Sequence, residues 1–158
     1  MFTSDQGYHL GDHGLWQKTS LFEKGVRVPL VIMAPGARGN HRVAGGLVEM
    51  VDLYRTLADL AGLTPAAEIE GTSLRPMLDD PAVSVKPYAF SQVRNGYTVR
   101  STRFRYTEWA AGEEGTQLYD LEKDPFETRN LALAPAHAAT AAELKQALAA
   151  YRAGRRAP

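Results

Sequence analysis

A polar stretch near the N-terminus carries the residues best suited to chemistry. Asp5 and Gln6 offer a carboxylate and an amide oxygen, hard donors of the kind that Ca²⁺ and Mg²⁺ prefer. Thirteen residues after Asp5, Lys18 offers a flexible ammonium group for an anionic oxygen. The combination predicts a divalent-metal site close to an anion-binding group. A polar loop in which Asp5 caps a turn and Lys18 is solvated stays open as an alternative.

A zinc site is a further interpretation of the same stretch. His9 and His13 are four residues apart and Asp12 lies between them, a donor set that zinc accepts. Gly11 and Gly14 weaken the helix that this geometry requires. Surface or structural hydrogen bonding is therefore the expectation for His9.

Two apolar segments would position these residues. Met1–Ser4 reads as the end of a buried strand that delivers Asp5 into a turn, and we expect the chain to begin inside a larger protein. In open α/β sheets the working crevice lies beyond the carboxyl ends of the strands. Val28–Met33 is nearly continuous in apolar residues and predicts a strand buried on both faces, as in parallel sheets.

Helix signals follow these strands. Asp52 is the expected N-cap of a helix that carries Leu53, Leu57 and Leu60, and Gly62 is its expected C′ residue. A second short helix is predicted after residues 71–73, ending near residue 78.

The composition changes after residue 81 to short aromatic and β-branched runs, which predict an antiparallel meander. The predicted strands are Tyr88–Val93, Tyr97–Ser101, Phe104–Trp109 and Gln117–Tyr119. An alanine-rich helix, about Ala138–Ala153, follows with Leu144, Leu148 and Tyr151 on one stripe, and then a short basic tail at Arg155 and Arg156. The fold class is thus α/β: the edge of a doubly wound sheet over residues 1–80, then a small α+β subdomain with a four-stranded antiparallel sheet over 81–158.

The overall composition limits the partners. With 158 residues, 18 basic and 18 acidic side chains, the chain fits one domain or one domain with an appendage and lacks the positive charge of a nucleic-acid binder. No apolar run approaches the roughly 20 residues of a membrane span. The absence of cysteine excludes disulfides and thiolate metal sites within these residues. Arg103 and Arg105 alternate along a predicted strand, and we expect them on a solvated sheet face.

Several motifs, in order along the chain, resemble the sulfatases, the sulfate-ester hydrolases of the alkaline-phosphatase superfamily. They are Ser-Asp-Gln-Gly at 4–7, Leu-Gly-Asp-His-Gly at 10–14, Lys18, Arg-Val-Pro-Leu at 27–30, and the segments 51–57, 70–74, 118–125 and 130–131. Residues 96–101 and 106–109 are most similar to the iduronate-2-sulfatase type.

The resemblance implies a role for individual residues. Asp5 matches the family's metal-binding aspartate, and Gln6 the neighbouring ligand, which is more often Asn or His. Lys18 matches the catalytic lysine that binds the sulfate, and His13 falls in a segment that lines the substrate pocket. The implied metal is Ca²⁺, with Mg²⁺ as an alternative.

The family's nucleophile is a formylglycine made within a Cys/Ser-x-Pro-x-Arg motif, which is not found among these 158 residues. The resemblance implies that this group and the remaining metal ligands lie upstream in the same protein, and that the chain alone is inactive. It implies a small-molecule or saccharide sulfate ester as substrate and a periplasmic or secreted location. Two alternatives remain: a phosphodiester or phosphonate-ester hydrolase of the same superfamily, and a non-catalytic stand-alone binding module.

Overall fold

The computed structural model describes residues 1–154, so the predicted basic tail at Arg155 and Arg156 lies outside the described residues. Two compact units make up the chain. The first consists of Met1–Asp5 and Val28–Ala89, and the second of Gln6–Arg27 and Phe90–Pro158. Residues 6–27 therefore pack with the C-terminal half of the sequence.

The first unit contains a small two-stranded sheet. Strand β1, Phe2–Thr3, pairs antiparallel with β2, Leu30–Val31. The expectation that Val28–Met33 is a strand of a parallel sheet, buried on both faces, is wrong for this structure, because Val31 and Met33 are 58% and 74% exposed. Alternate side chains of the run face solvent because the sheet has only these two strands within the described part of the chain.

Helix α2, Asp52–Leu60, ends as the sequence predicts. Gly62 has a φ of 70°, and its N–H donates to the Asp59 carbonyl at 3.1 Å. The Leu63 N–H donates to the Ala58 carbonyl at 2.8 Å. These two bonds form a Schellman motif with glycine at C′.

Asp52 has a different role from the predicted one. It is the first helical residue, with Val51 at the N-cap position. Its fully buried carboxylate accepts hydrogen bonds from the Glu49 N–H at 2.7 Å, the Thr72 N–H at 2.8 Å and the Lys86 ammonium at 2.6 Å. Asp52 therefore joins three segments of the first unit instead of capping α2.

A buried threonine links α2 to the predicted second helix, α3, which spans Arg75–Asp79. Thr56 Oγ1 accepts a hydrogen bond from the Leu74 N–H at 2.9 Å and donates one to the Asp52 carbonyl at 2.7 Å. Leu57, expected on the apolar stripe of α2, is 47% exposed. The contact between the helices is therefore partly polar.

The predicted meander is confirmed as a four-stranded sheet in the order β3-β4-β5-β6. Its strands are β3 Ala89–Val93, β4 Gly96–Arg100, β5 Phe104–Trp109 and β6 Thr116–Asp120. Val99, Tyr106 and Leu118 are paired across β4, β5 and β6 and are at most 3% exposed. They form the centre of the second unit's core.

The terminal helix, α4, covers this sheet as the stripe predicts. It spans Ala138–Gly154 and contacts β4 and β5. Leu144 and Leu148 are buried, and the Tyr151 ring stacks on Phe90 at a centroid distance of 3.9 Å. No helix within residues 1–154 has the length and hydrophobicity to cross a membrane.

Candidate functional site

Lys18 and His13 lie in one loop of the second unit, residues 7–25, whose two limbs are joined by backbone hydrogen bonds. A short helix, α1, spans Glu23–Val26 and ends the second limb. Three N–H groups of the first limb donate to carbonyls of the second: Gly7 to Gly25 at 3.1 Å, His9 to Gln17 at 2.9 Å and Gly11 to Leu15 at 2.9 Å. The backbone of the loop is therefore fixed on both sides of its tip.

His13 lies at the tip of this loop in an unusual backbone conformation. It belongs to a 3-10 turn, Asp12–Gly14, and has a φ of 56°. A φ in the left-handed region is uncommon for a residue with a Cβ. The exposed imidazole stacks on Phe22 with centroids 3.8 Å apart and ring planes 7° from parallel. Phe22 thus orients a histidine whose other face is open to a ligand.

Lys18 is exposed, and its main chain is held by its neighbours. The Ser20 N–H donates to the Lys18 carbonyl at 3.0 Å. Gly25 is buried against this turn, and a Cβ at Gly25 would overlap Ser20 Oγ and lie 3.3 Å from the Lys18 carbonyl oxygen. Glycine is thus the residue that lets α1 approach the Lys18 backbone.

Asp5 and Gln6 are both exposed, in the residues that follow β1. Their carboxylate and amide oxygens suit Ca²⁺ or Mg²⁺, but Ca²⁺ takes six to eight oxygen ligands. Within residues 1–154 no group of three or more His, Cys, Asp or Glu side chains is placed to hold a metal ion. Asp5 and Gln6 therefore fit a metal site as a partial ligand set.

The zinc interpretation is wrong for the same reason, because no group of three or more His, Cys, Asp or Glu side chains within residues 1–154 is placed to hold a metal ion. The His9 and His13 rings are 6.2 Å apart and close to perpendicular. His9 is fully buried, and its Nε2 lies 2.6 Å from Ser20 Oγ. The expectation that His9 is a structural hydrogen-bonding residue is confirmed.

The comparison with known families decides what kind of protein this is. Residues 11–154 match the family described as N-sulphoglucosamine sulphohydrolase, C-terminal. The chain belongs to the sulfatase family. Among curated sulfatases it is 38% identical to the choline-sulfatase of Rhizobium meliloti, covering 85% of this chain and 27% of that protein. It is 32% identical to the Delta 4,5-hexuronate-2-O-sulfatase of Bacteroides thetaiotaomicron, covering 94% of this chain and 33% of that protein.

The fold comparison agrees with the sequence comparison. The crystal structure of the phosphonate monoester hydrolase of Agrobacterium radiobacter matches 97% of this chain and 34% of its own, with a TM-score of 0.82 and 30% identity. The predicted fold class, α/β with a four-stranded antiparallel sheet and an alkaline-phosphatase-like relationship, is thereby confirmed. The chain spans between about a quarter and a third of the length of each of these three proteins.

One cluster of this sulfatase chain differs from its sequence prediction. Arg105, expected on a solvated face, is 2% exposed and forms ion pairs with Glu23 and Glu127. Glu127 Oε2 also accepts a hydrogen bond from the Glu23 N–H at 2.6 Å, at the start of α1. Burial raises the pKa of the Glu127 carboxyl, although Arg105 opposes the shift. The cluster ties the second limb of the loop to the meander.

The alternation pattern could not reveal this burial, because the acidic partners are about 80 residues earlier and 20 residues later in the sequence. Arg103 behaves as expected of a half-exposed residue and donates two hydrogen bonds to Asp120, at 2.9 and 2.6 Å. Arg27 pairs with Glu23 at 3.8 Å. Arg27, Arg103 and Arg105 are therefore all held in ion pairs.

A partly open pocket of about 200 Å³ in the second unit is lined in part by the second limb of the loop 7–25. Its lining combines aliphatic and aromatic side chains with amides and hydroxyls: Leu15, Gln17, Thr19, Ser20, Leu21, Phe22, Trp109 and Gln117. Gln17 and Thr19, on either side of Lys18, both contribute to it. The limb that carries Lys18 thus relies on hydrogen bonds as well as on packing.

Proposed function

We propose that this chain is the C-terminal part of a longer sulfatase that hydrolyses a sulfate ester. The observation that carries the proposal is the loop 7–25, which presents an exposed lysine and histidine from a backbone fixed by three hydrogen bonds. A lysine held in this way is an anion-binding group whose ammonium can be placed before the substrate arrives.

The chemistry assigns Lys18 and His13 to the ester. Cleavage of a sulfate ester builds negative charge on the sulfuryl and leaving oxygens, and the Lys18 ammonium would stabilise that charge. His13 would contact the substrate through the open face of its ring. Lys18 is thus the proposed catalytic residue of this chain.

Asp5 and Gln6 would provide part of a Ca²⁺ site, with Mg²⁺ as the alternative. When bound, the ion supplies Lewis-acid stabilisation of the sulfuryl oxygens. Because these two oxygens are only part of a calcium ligand set, we propose that the other ligands and the formylglycine nucleophile come from the upstream part of the same protein. By the same family resemblance, we place the protein in the periplasm or outside the cell.

A sugar sulfate is the proposed substrate, and an iduronate-2-sulfate type of ester is its finer form. Two observations support this: the similarity of residues 96–101 and 106–109 to that branch, and the 32% identity to a hexuronate-2-O-sulfatase. The 38% identity to a choline-sulfatase makes the sulfate ester of a small quaternary-ammonium alcohol the first competitor. Arg103 and Arg105, both held in ion pairs, do not contribute to recognition of an acidic sugar in this proposal.

The test compares variants of the longer polypeptide on a panel of esters. The panel contains an aryl sulfate, a 2-O-sulfated uronate disaccharide, choline sulfate and an aryl phosphonate monoester. Lys18→Ala is expected to lower kcat/KM for the sulfate esters about 100-fold, the effect of removing one positioned charge-stabilising group. Lys145→Ala, an exposed lysine on α4, is the matched control and should leave kcat/KM unchanged. Full activity of the Lys18→Ala variant would contradict the assignment.

A phosphonate or phosphodiester hydrolase is the second candidate, favoured by the TM-score of 0.82 to a phosphonate monoester hydrolase. Preference of the longer polypeptide for the phosphonate ester would establish it. The 158-residue chain, assayed alone, is expected to show no turnover. Turnover by the chain alone would contradict the proposed need for upstream residues. If both the 158-residue chain and the longer polypeptide bind an ester of the panel and neither hydrolyses it, a non-catalytic binding module is favoured.

A further inference from the structure

We propose that His9 is a positioning residue that fixes Lys18 for sulfate binding; this inference rests on the function proposed above. His9 contacts the second limb of the loop on both sides of Lys18. The backbone N–H of His9 donates to the Gln17 carbonyl at 2.9 Å, and the ring nitrogen Nε2 lies 2.6 Å from Ser20 Oγ. The segment that holds Lys18 is therefore fastened at residues 17 and 20 by one buried histidine.

The environment of the ring determines which nitrogen donates. His9 is fully buried, and its Nδ1 has no hydrogen-bond partner among the described residues. A buried N–H without a partner costs more than a buried lone pair, because orphaned donors are the rarer defect in proteins. We therefore assign the proton to Nε2, which donates to Ser20 Oγ.

Ser20 transmits the position of His9 to Lys18. Ser20 is 8% exposed, and its own N–H donates to the Lys18 carbonyl at 3.0 Å. A Cβ at Gly25 would overlap Ser20 Oγ, so glycine at this position leaves the hydroxyl the room it needs beside the ring. The buried His9 ring is thus connected through Ser20 to the main chain of the exposed Lys18.

The loop needs such a fastening because its second limb borders a pocket that is partly open to solvent. This pocket, of about 200 Å³, is lined in part by Gln17, Thr19 and Ser20. A segment beside such a pocket lacks part of the dispersion contacts that hold a closely packed segment. Loss of the His9–Ser20 bond is expected to free Lys18 locally while the meander stays intact.

Two isosteric variants separate positioning from folding. The amide nitrogen of His9→Gln can replace Nε2, whereas the shorter amide of His9→Asn reaches only the place of Nδ1. In the longer polypeptide, His9→Asn should raise KM for an aryl sulfate and the inhibition constant of inorganic sulfate roughly tenfold, the effect of losing one buried hydrogen bond. His9→Gln should restore both. Neither constant depends on how much of the enzyme is folded.

A double-mutant cycle shows whether the effect passes through Lys18. In a Lys18→Ala background, His9→Asn should cause no further rise in the sulfate inhibition constant. An additional rise of the full tenfold, or equal constants for His9→Asn and His9→Gln, would overturn the proposal. Failure of the proposed function has a different signature, since the unmodified protein would then hydrolyse none of the sulfate esters.

Amide hydrogen exchange tests whether His9 positions the segment that carries Lys18, and it needs no measurement of enzyme activity. In the 158-residue chain, His9→Asn should speed amide exchange in residues 17–20 at least fivefold, with exchange in β4 and β5 unchanged. His9→Gln should match the unmodified chain. Unchanged exchange in residues 17–20, or an equal increase across the whole sheet, would overturn the proposal. This test does not depend on whether the protein is a sulfatase.

Discussion

Arg105 Nε lies 2.9 Å from Glu127 Oε1, and both side chains are 2% exposed. The Nε–H does not point at this oxygen, so the contact is an ion pair without a hydrogen bond. Glu127 also has a φ of 55°, a left-handed conformation that costs a residue with a Cβ roughly 1–2 kcal/mol. The ion pair and the bond to the Glu23 N–H offset this strain and fix the start of α1.

Replacement of Arg105 tests the contribution of this buried pair. Arg105→Met removes the cation that is paired with the buried Glu127, while the half-buried Glu23 keeps its pairs with Arg27 and Arg100. Breaking a buried pair from one side costs about 3–5 kcal/mol. Urea unfolding should show that loss in the free energy of unfolding.

Arg103→Met is the control for this variant, because the Arg103 side chain is 42% exposed and pairs with other carboxylates, those of Asp120 and Glu122. Arg103→Met should lower the free energy of unfolding by clearly less than Arg105→Met does. Equal losses for the two variants would mean that burial of Arg105 contributes nothing to its role.

The pair of Arg103 with Asp120 predicts a pH dependence. Hydrogen bonds from the Arg103 guanidinium hold the pKa of the Asp120 carboxyl below its ordinary value, although burial opposes the shift. A lowered folded-state pKa gives stability that is present above the unfolded-state pKa, near 4, and lost as the pH falls through the folded-state pKa. Asp120→Asn should therefore flatten the decline of unfolding free energy below about pH 4.

Glu122→Gln is the matched control, because the 70% exposed Glu122 contacts the same arginine at 3.2 Å. It should leave the acid limb of the stability curve close to that of the unmodified chain. An unchanged acid limb in Asp120→Asn would exclude the assigned cause of the shift.

Gly96 predicts a steric effect in the sheet. A Cβ at this position would lie 2.6 Å from the Trp109 ring and 3.0 Å from Leu21 Cδ1. Gly96→Ala should lower the free energy of unfolding by about 1–3 kcal/mol, as overpacking does. In Gly154→Ala, where the Cβ meets open space, thermal unfolding should show no loss. A neutral Gly96→Ala would mean that the hairpin adjusts without strain.

His13 combines a strained backbone with a proposed contact to substrate, and one substitution separates the two. His13→Gly relieves the positive φ of 56°, so the free energy of unfolding should not fall, apart from the lost stacking on Phe22. If the ring contacts the ester, KM for an aryl sulfate should rise roughly fivefold in the longer polypeptide. An unchanged KM would limit His13 to a structural role in the loop.

The local pattern was sufficient for the elements of the second half. Short β-branched runs predicted β3 to β6, and the leucine stripe predicted α4, because cross-strand pairing and a helix face are both read at short sequence range. The residues Asn95-Gly96 predict the turn between β3 and β4, but the turn lies at Arg94-Asn95, and Gly96 begins β4 where a Cβ would overlap the Trp109 ring. That steric limit comes from a strand that the local sequence does not contain.

The sequence by itself determined the family and the residues of the proposed site: Asp5, Gln6, His13 and Lys18 stand in motifs whose order is recognisable without coordinates. Only the tertiary structure decided the roles of the buried polar residues elsewhere in the chain. It buried Arg105 between Glu23 and Glu127, made Asp52 a junction of three segments, and placed His9 against Ser20. These roles depend on contacts between residues that are distant in the sequence. The interaction energy of a charged or polar side chain depends on how deeply such contacts bury it, more than on its residue type.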